Sequence, residues 1–158
     1  MIFQVENKNV FASDSGQGID KKKATIVLLH GSGLSHIVWS LTEQYLSNQN
    51  YNVLAIDLPG HGNSEGDWTS STIEELSFDD IYAINYFSNK TQIPVSKIGI
   101  KGSSQGASKV PYILNKLPDL NYGIVASCPG VTLLESDLNY WKNSNSNEIG
   151  DDIDEAVN

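Results

Sequence analysis

Arginine is absent from this chain of 158 residues, whose cationic side chains are ten lysines set against nineteen acids, a formal charge of −9. An acidic chain without guanidinium groups has no phosphate-gripping surface, which excludes nucleic acid as the expected partner. It also offers no polybasic patch to anionic lipid. Long apolar runs are missing too. The longest aliphatic stretch, Ile26-Val27-Leu28-Leu29, is far short of a membrane span. The opening MIFQVENKNVF has no basic segment leading into an apolar one, so no signal peptide is expected. Cysteine occurs once, as Cys128, which excludes an internal disulfide and makes a reducing compartment, the cytoplasm, the expected location. A lone cysteine is expected to be a small buried apolar residue rather than a nucleophile.

The charge that is present is unevenly placed. Residues 135–158 hold seven acids against Lys142 alone, so the chain divides into a body, 1–134, and an acidic end, 135–158. The body alternates. Residues 2–6 and 9–13 suggest a short antiparallel pair. The continuous apolar runs 24–30 (ATIVLLH) and 51–57 (YNVLAID) read as strands buried on both faces. Between them, residues 37–49 place Ile37, Leu41, Tyr45 and Leu46 near helical spacing. Residues 72–89 predict a helix with Ile73, Leu76, Ile81, Ile84 and Phe87 on its apolar side. A strand over 95–101, a helix over 105–117 and a strand over 122–127 complete an α/β pattern with a mainly parallel sheet. In the acidic end, Ile149, Ile153 and Val157 recur every four residues, the stripe of a helix that has barely begun when the sequence stops.

The segment with the clearest chemistry is Gly102-Ser103-Ser104-Gln105-Gly106, a G-x-S-x-G pattern between a predicted strand and a predicted helix. A serine on so tight a turn takes a strained backbone conformation, and small neighbours let the chain pass close to itself. The turn exposes Ser104 at the carboxyl end of its strand and sets a helix N-terminus beneath a developing oxyanion. Without its partners, the same segment is a Gly/Ser-rich turn of no catalytic role.

Two other segments go with it. His30-Gly31-Ser32-Gly33 ends the first buried strand, and Asp57-Leu58-Pro59-Gly60-His61-Gly62-Asn63-Ser64 ends the second. With GSSQG, and with Gly66-Asp67-Trp68 and the later LNYGIVASCPGVTLLESDLNYW, the chain resembles the N-terminal portion of the α/β-hydrolase superfamily, in particular its serine esterase and peptidase-like hydrolases. The resemblance covers roughly residues 24–142. It implies an α/β-hydrolase fold with Ser104 as nucleophile and the backbone N–H groups of Gln105 and Ser32, or alternatively Gly33, as oxyanion donors. His30, Gly31, Gly33, Gly102 and Gly106 would support these motifs. The substrate implied is a small ester, thioester or amide, which makes the expected activity that of a carboxylic ester hydrolase. An acyltransferase or a carbon–carbon bond hydrolase uses the same parts. No His-x-x-x-His or clustered Cys/His pattern is present, so neither a metal nor an organic cofactor is expected.

The family's triad runs in the order Ser, then Asp or Glu, then His, and no histidine follows Ser104. His30 and His61 are expected to shape loops, and His36 to lie beside the entrance without a catalytic role. Glu135 and Asp137 are expected to be solvated acids at the start of a lid or cap, Asp57 a turn residue and Asp79 a helix-surface residue. The family's last two strands, which carry the acid and the base, have no counterpart here, so this chain alone is expected to be nearly inactive. Its alternative reading is a truncated remnant or a small-molecule-binding module. The partners implied, besides substrate, are a missing C-terminal half or a second copy paired through the sheet edge at Tyr122–Ala126.

Overall fold

The two apolar runs with no polar alternation become the centre of a sheet. Strand β3 (Thr25–Leu29) and strand β4 (Asn52–Ile56) are buried along their whole length and pair in parallel. These and the following elements come from a computed structural model that describes residues 1–5, 8–67 and 72–128. Strand β1 (Ile2–Val5) and strand β2 (Lys8–Ser13) form an antiparallel hairpin, and β2 pairs antiparallel with β4. Strand β5 (Ile98–Ser103) lies parallel to β3 on its other side, and strand β6 (Tyr122–Ala126) lies parallel to β5. The order across the sheet is β1-β2-β4-β3-β5-β6, so among the described residues the strand leading to Ser104 lies next to the last strand of the sheet.

Helix α2 (Ile73–Thr91) begins at a reciprocal cap: Thr72 Oγ1 accepts from the Glu75 N–H at 3.2 Å, and the Glu75 carboxylate accepts from the Thr72 N–H at 2.8 Å. Together with helix α3 (Gln105–Lys116) it covers one face of the sheet, where Phe3, Val27, Leu29, Leu54, Ile84, Phe87, Ile98, Ile100, Val110 and Ile113 make the main core. Ile73 and Ile81 lie only half-buried, and Asp79 likewise. Their neighbour Asp80 is fully buried, facing an equally buried Lys109 from α3 as an ion pair.

Helix α1 (Ser40–Asn48), entered through a 3-10 turn at His36–Trp39, lies over the other face against Ile26, Leu28, Val53 and Ala55. Here the apolar spacing misleads. Ile37, Leu41 and Tyr45 are 67%, 82% and 64% exposed, while Trp39 and Glu43 are buried and Leu46, the fourth of the expected set, packs partly buried against the core. The cause is that α1 covers only part of its face of the sheet. A second departure is the start of β5: Pro94 leads into a 3-10 turn over Val95–Lys97, and the strand begins at Ile98. Cys128, two residues past the end of β6, is exposed rather than buried. Residues Met1–Cys128 form one compact unit. The boundary expected at 134, the acidic end 135–158, Glu135 and Asp137 lie outside the described residues.

Candidate active site

Strand β5 enters the site straight from the core, and the chain turns at Ser104 with φ 53° and ψ −121°, a region that side chains rarely occupy. What holds it there is packing on both sides. A Cβ at Gly102 would run into the backbone of Gly106 and Ala107, and one at Gly106 would run into the carbonyls of Leu29 and His30. The two motif glycines therefore let β5, α3 and the end of β3 converge. The Ser104 N–H donates to the Ala126 carbonyl at 3.0 Å, and its own carbonyl accepts from Ala107 at 2.9 Å, which ties the turn to β6 and α3. Ser104 itself is exposed. Gly106→Ala is expected to cost about 2–3 kcal/mol in chemical denaturation, because backbone must move. Gly33→Ala, where φ is +71° but space is open, is expected to cost about 1 kcal/mol.

Gly31 brings the end of β3 against the serine: a Cβ there would sit 3.1 Å from Ser104 Cβ and 3.6 Å from Oγ. Ser32 follows, exposed. Gly33, the alternative donor, is already engaged, since its N–H donates to His61 Nε2 at 3.0 Å. Gln105 opens α3, so its N–H has no acceptor four residues back within the helix.

The three histidines are all occupied elsewhere. His30 is fully buried, its Nδ1 bonded to the Gly31 carbonyl at 2.7 Å and its Nε2 accepting from the Leu58 N–H at 3.0 Å. That pattern needs the neutral ring, and burial pushes its pKa from 6.5 down to about 4. His61 bridges the Pro59 carbonyl and Gly33. His36 bonds through Nδ1 to the Asp57 carboxylate at 2.8 Å. None is hydrogen-bonded to Ser104 among the described residues. A depressed folded pKa means that the unfolded chain takes up the proton first. Stability contributed by neutral His30 is therefore complete above about pH 6.5 and is lost as pH falls towards 4, by about 3 kcal/mol in all. Urea titrations across that range are expected to show this slope, and His30→Gln to flatten it.

Asp57 is more than a turn residue. It is fully buried, and its Oδ1 accepts from the His36 N–H at 2.5 Å while Oδ2 accepts from the Asn63 N–H at 2.8 Å. Gly62 passes so close that any Cβ would strike the carboxylate. The loop is also braced by the hairpin. The Asn9 N–H donates to the Glu65 carboxylate at 2.9 Å, and the Glu65 N–H donates back to the Asn9 carbonyl at 2.9 Å. Nothing local in the sequence signals Asp57 as a hub, because its partners come from segments on either side of it.

Comparison with known proteins places these features among hydrolases. The family model described as serine aminopeptidase, S33, matches residues 20–146. Over 107 residues, 65% of this chain, the sequence is 35% identical to the 2-hydroxy-6-oxononadienedioate/2-hydroxy-6-oxononatrienedioate hydrolase of Escherichia coli, of which that stretch is 34%. Over 63 residues, 40% of the chain, it is 40% identical to the pimeloyl-(acyl-carrier protein) methyl ester esterase of Vibrio cholerae, of which that stretch is 22%. The thioesterase domain from the curacin biosynthetic pathway superposes with a TM-score of 0.70 at 19% identity, over 90% of this chain and 52% of that domain. This last likeness bears on the fold alone. The matched stretches span about a third or less of the curated relatives and about half of the solved domain.

Proposed function

This chain belongs to the serine aminopeptidase S33 family, with an α/β-hydrolase fold, and from that premise we propose that Ser104 is the nucleophile of ester, thioester or amide hydrolysis. Ser104 Oγ attacks the carbonyl carbon and gives its proton to a base, while the carbonyl electron pair moves onto oxygen. The N–H groups of Gln105 and Ser32 hold that oxyanion, assisted by the N-terminus of α3. Collapse of the tetrahedral intermediate expels the alcohol, thiol or amine with a proton, and water then releases the acid from the acyl-enzyme. His30, Gly31, Gly102 and Gly106 position the turn and the loop. The acid and the histidine of the triad come from outside these 158 residues.

The observation that carries this reading is the backbone of Ser104, held at a positive φ with its side chain at the surface. Strain of that kind, roughly 1–3 kcal/mol, persists where surrounding structure enforces it and clusters at reacting residues. One observation favours a second reading, a binding module without turnover: all three histidine rings are bonded away from the serine. A fluorophosphonate probe separates the two, since it needs only a serine oxygen that displaces fluoride at phosphorus. Slow labelling of the wild type that vanishes in Ser104→Ala is expected. A wild type that does not label, or an equally labelled Ser104→Ala, refutes the nucleophile.

A further inference from the structure

The segment that carries Ser32 is pinned at both ends. Gly31 lies against Ser104, where a Cβ would stand 3.1 Å from the serine Cβ, and the His36 N–H donates to the buried Asp57 carboxylate. Between these points residues 31–34 form a turn, closed by the Leu34 N–H on the Gly31 carbonyl at 3.3 Å. Its third residue, Gly33, has φ +71°, and its second, Ser32, is not at positive φ. Those signs make it a type II turn. Glycine takes φ of either sign, so the type I form is open to the same backbone. The two forms differ in which way the peptide between Ser32 and Gly33 faces.

The side chain that decides between them comes from the loop after β4. His61 is buried, its Nε2 meets the Gly33 N–H at 3.0 Å, and its Nδ1 meets the Pro59 carbonyl at 3.0 Å. An amide N–H only donates and a carbonyl only accepts, so the ring is neutral with its proton on Nδ1. We propose that His61 is a positioning residue of the oxyanion loop, whose neutral ring selects the type II turn and so fixes the segment bearing the Ser32 amide. The role rests on Ser104 being the nucleophile. A proton on Nε2 sets two donors face to face, which breaks the bond to Gly33 and frees the central peptide to turn over. An oxyanion donor has to lie about 2.7–3.1 Å from the developing charge, and a turn that samples both forms does not hold one there. The titratable groups on the elements around the ring are His30 just past β3, at 5.2 Å between ring centres, His36 in the held segment, and Asp57 and Glu65 in its own loop. His30 stays neutral down to about pH 4.

The test has two readouts on the intact chain between about pH 8 and pH 5, the range in which histidine changes charge. In nitrogen-15-labelled protein, a coupling across the hydrogen bond between the Gly33 nitrogen and His61 Nε2 is expected at the upper pH and is expected to vanish at the lower. Labelling of Ser104 by a fluorophosphonate is then compared in wild type, His61→Gln and His61→Leu. The glutamine carbonyl reaches where Nε2 does and accepts at every pH. His61→Leu is expected to label about tenfold more slowly than wild type at the upper pH, and His61→Gln to recover most of that loss. The ratio of wild-type to His61→Gln rates is expected to fall about fivefold towards the lower pH. The Gln variant keeps Ser104, His30, His36, Asp57 and Glu65, so their own titrations cancel in that ratio. A constant ratio, or no coupling at the upper pH, overturns the positioning role while Ser104 stands. A wild type that does not label overturns Ser104 and this role with it. Ratio and coupling need only the wild type and the Gln variant, so they decide the matter even where His61→Leu does not fold.

Discussion

Hydrolysis of p-nitrophenyl acetate by these 158 residues alone is expected to run on the order of 10⁶ below that of a complete serine hydrolase of this fold. The deficit follows from where the imidazoles are. Deprotonating a serine needs a base within hydrogen-bond reach of Oγ, and His30, His36 and His61 are each bonded to a loop carbonyl, a loop amide or Asp57. His30 is the worst placed, because burial holds it neutral down to about pH 4 and its free lone pair is taken by the Leu58 N–H. What remains is an oxyanion site with an unassisted serine, which sustains roughly 10³–10⁴ over water. The measurement is the difference in rate between wild type and Ser104→Ala. A kcat of about 1–10³ s⁻¹, ordinary for an enzyme, would sink the idea that the base lies elsewhere. His36→Ala would then identify whether the one half-exposed ring had served.

Lys109→Met is expected to destabilise the fold by about 3–5 kcal/mol, because it leaves the Asp80 carboxylate buried without its partner. Both groups are fully buried where α2 and α3 meet. Burial raises the Asp80 pKa, Lys109 lowers it, and Asp80 Oδ1 has no partner of its own. The pair is therefore costly to break but not inherently stabilising relative to apolar side chains. Lys109→Met combined with Asp80→Leu is expected to recover most of the loss, since replacing both partners by packed hydrophobes is often neutral or better. Urea denaturation of both variants decides it. A loss under about 1 kcal/mol for the single variant would mean that solvent reaches the pair. Helix α3 begins at Gln105, so the single variant is also expected to slow probe labelling of Ser104.

How much of this was legible depends on what kind of neighbour each residue has. Strands β3 and β4 could be read because a parallel strand buried on both faces is a nearly continuous apolar run, and the tight turn at Ser104 because its glycines and serine are adjacent in sequence. Helix α1 was read correctly as a helix, but its apolar spacing does not say which side has a partner, and Leu41 and Tyr45 are exposed. Asp57 looked like a turn residue because its position follows a strand and precedes Pro59. Its burial comes from His36 and Asn63 closing over it from two directions. The Asp80–Lys109 pair carried a signal that could be found. Each charge sits at helical spacing from buried neighbours, Leu76 and Ile84 in one case and Gly106 and Ile113 in the other.

The pairing of Leu29 with Gly102 joins positions about seventy residues apart in the chain, and that separation has a consequence in time. The hairpin of β1 and β2 closes over two residues, whereas contact between β3 and β5 waits on the closure of a long loop. Gly106 meets the carbonyls of Leu29 and His30 only after that event, so the packing of β3 against the Ser104 turn is complete only once the long loop has closed. The positive φ at Ser104 is therefore expected to become fully constrained late, together with the central pairing of the sheet.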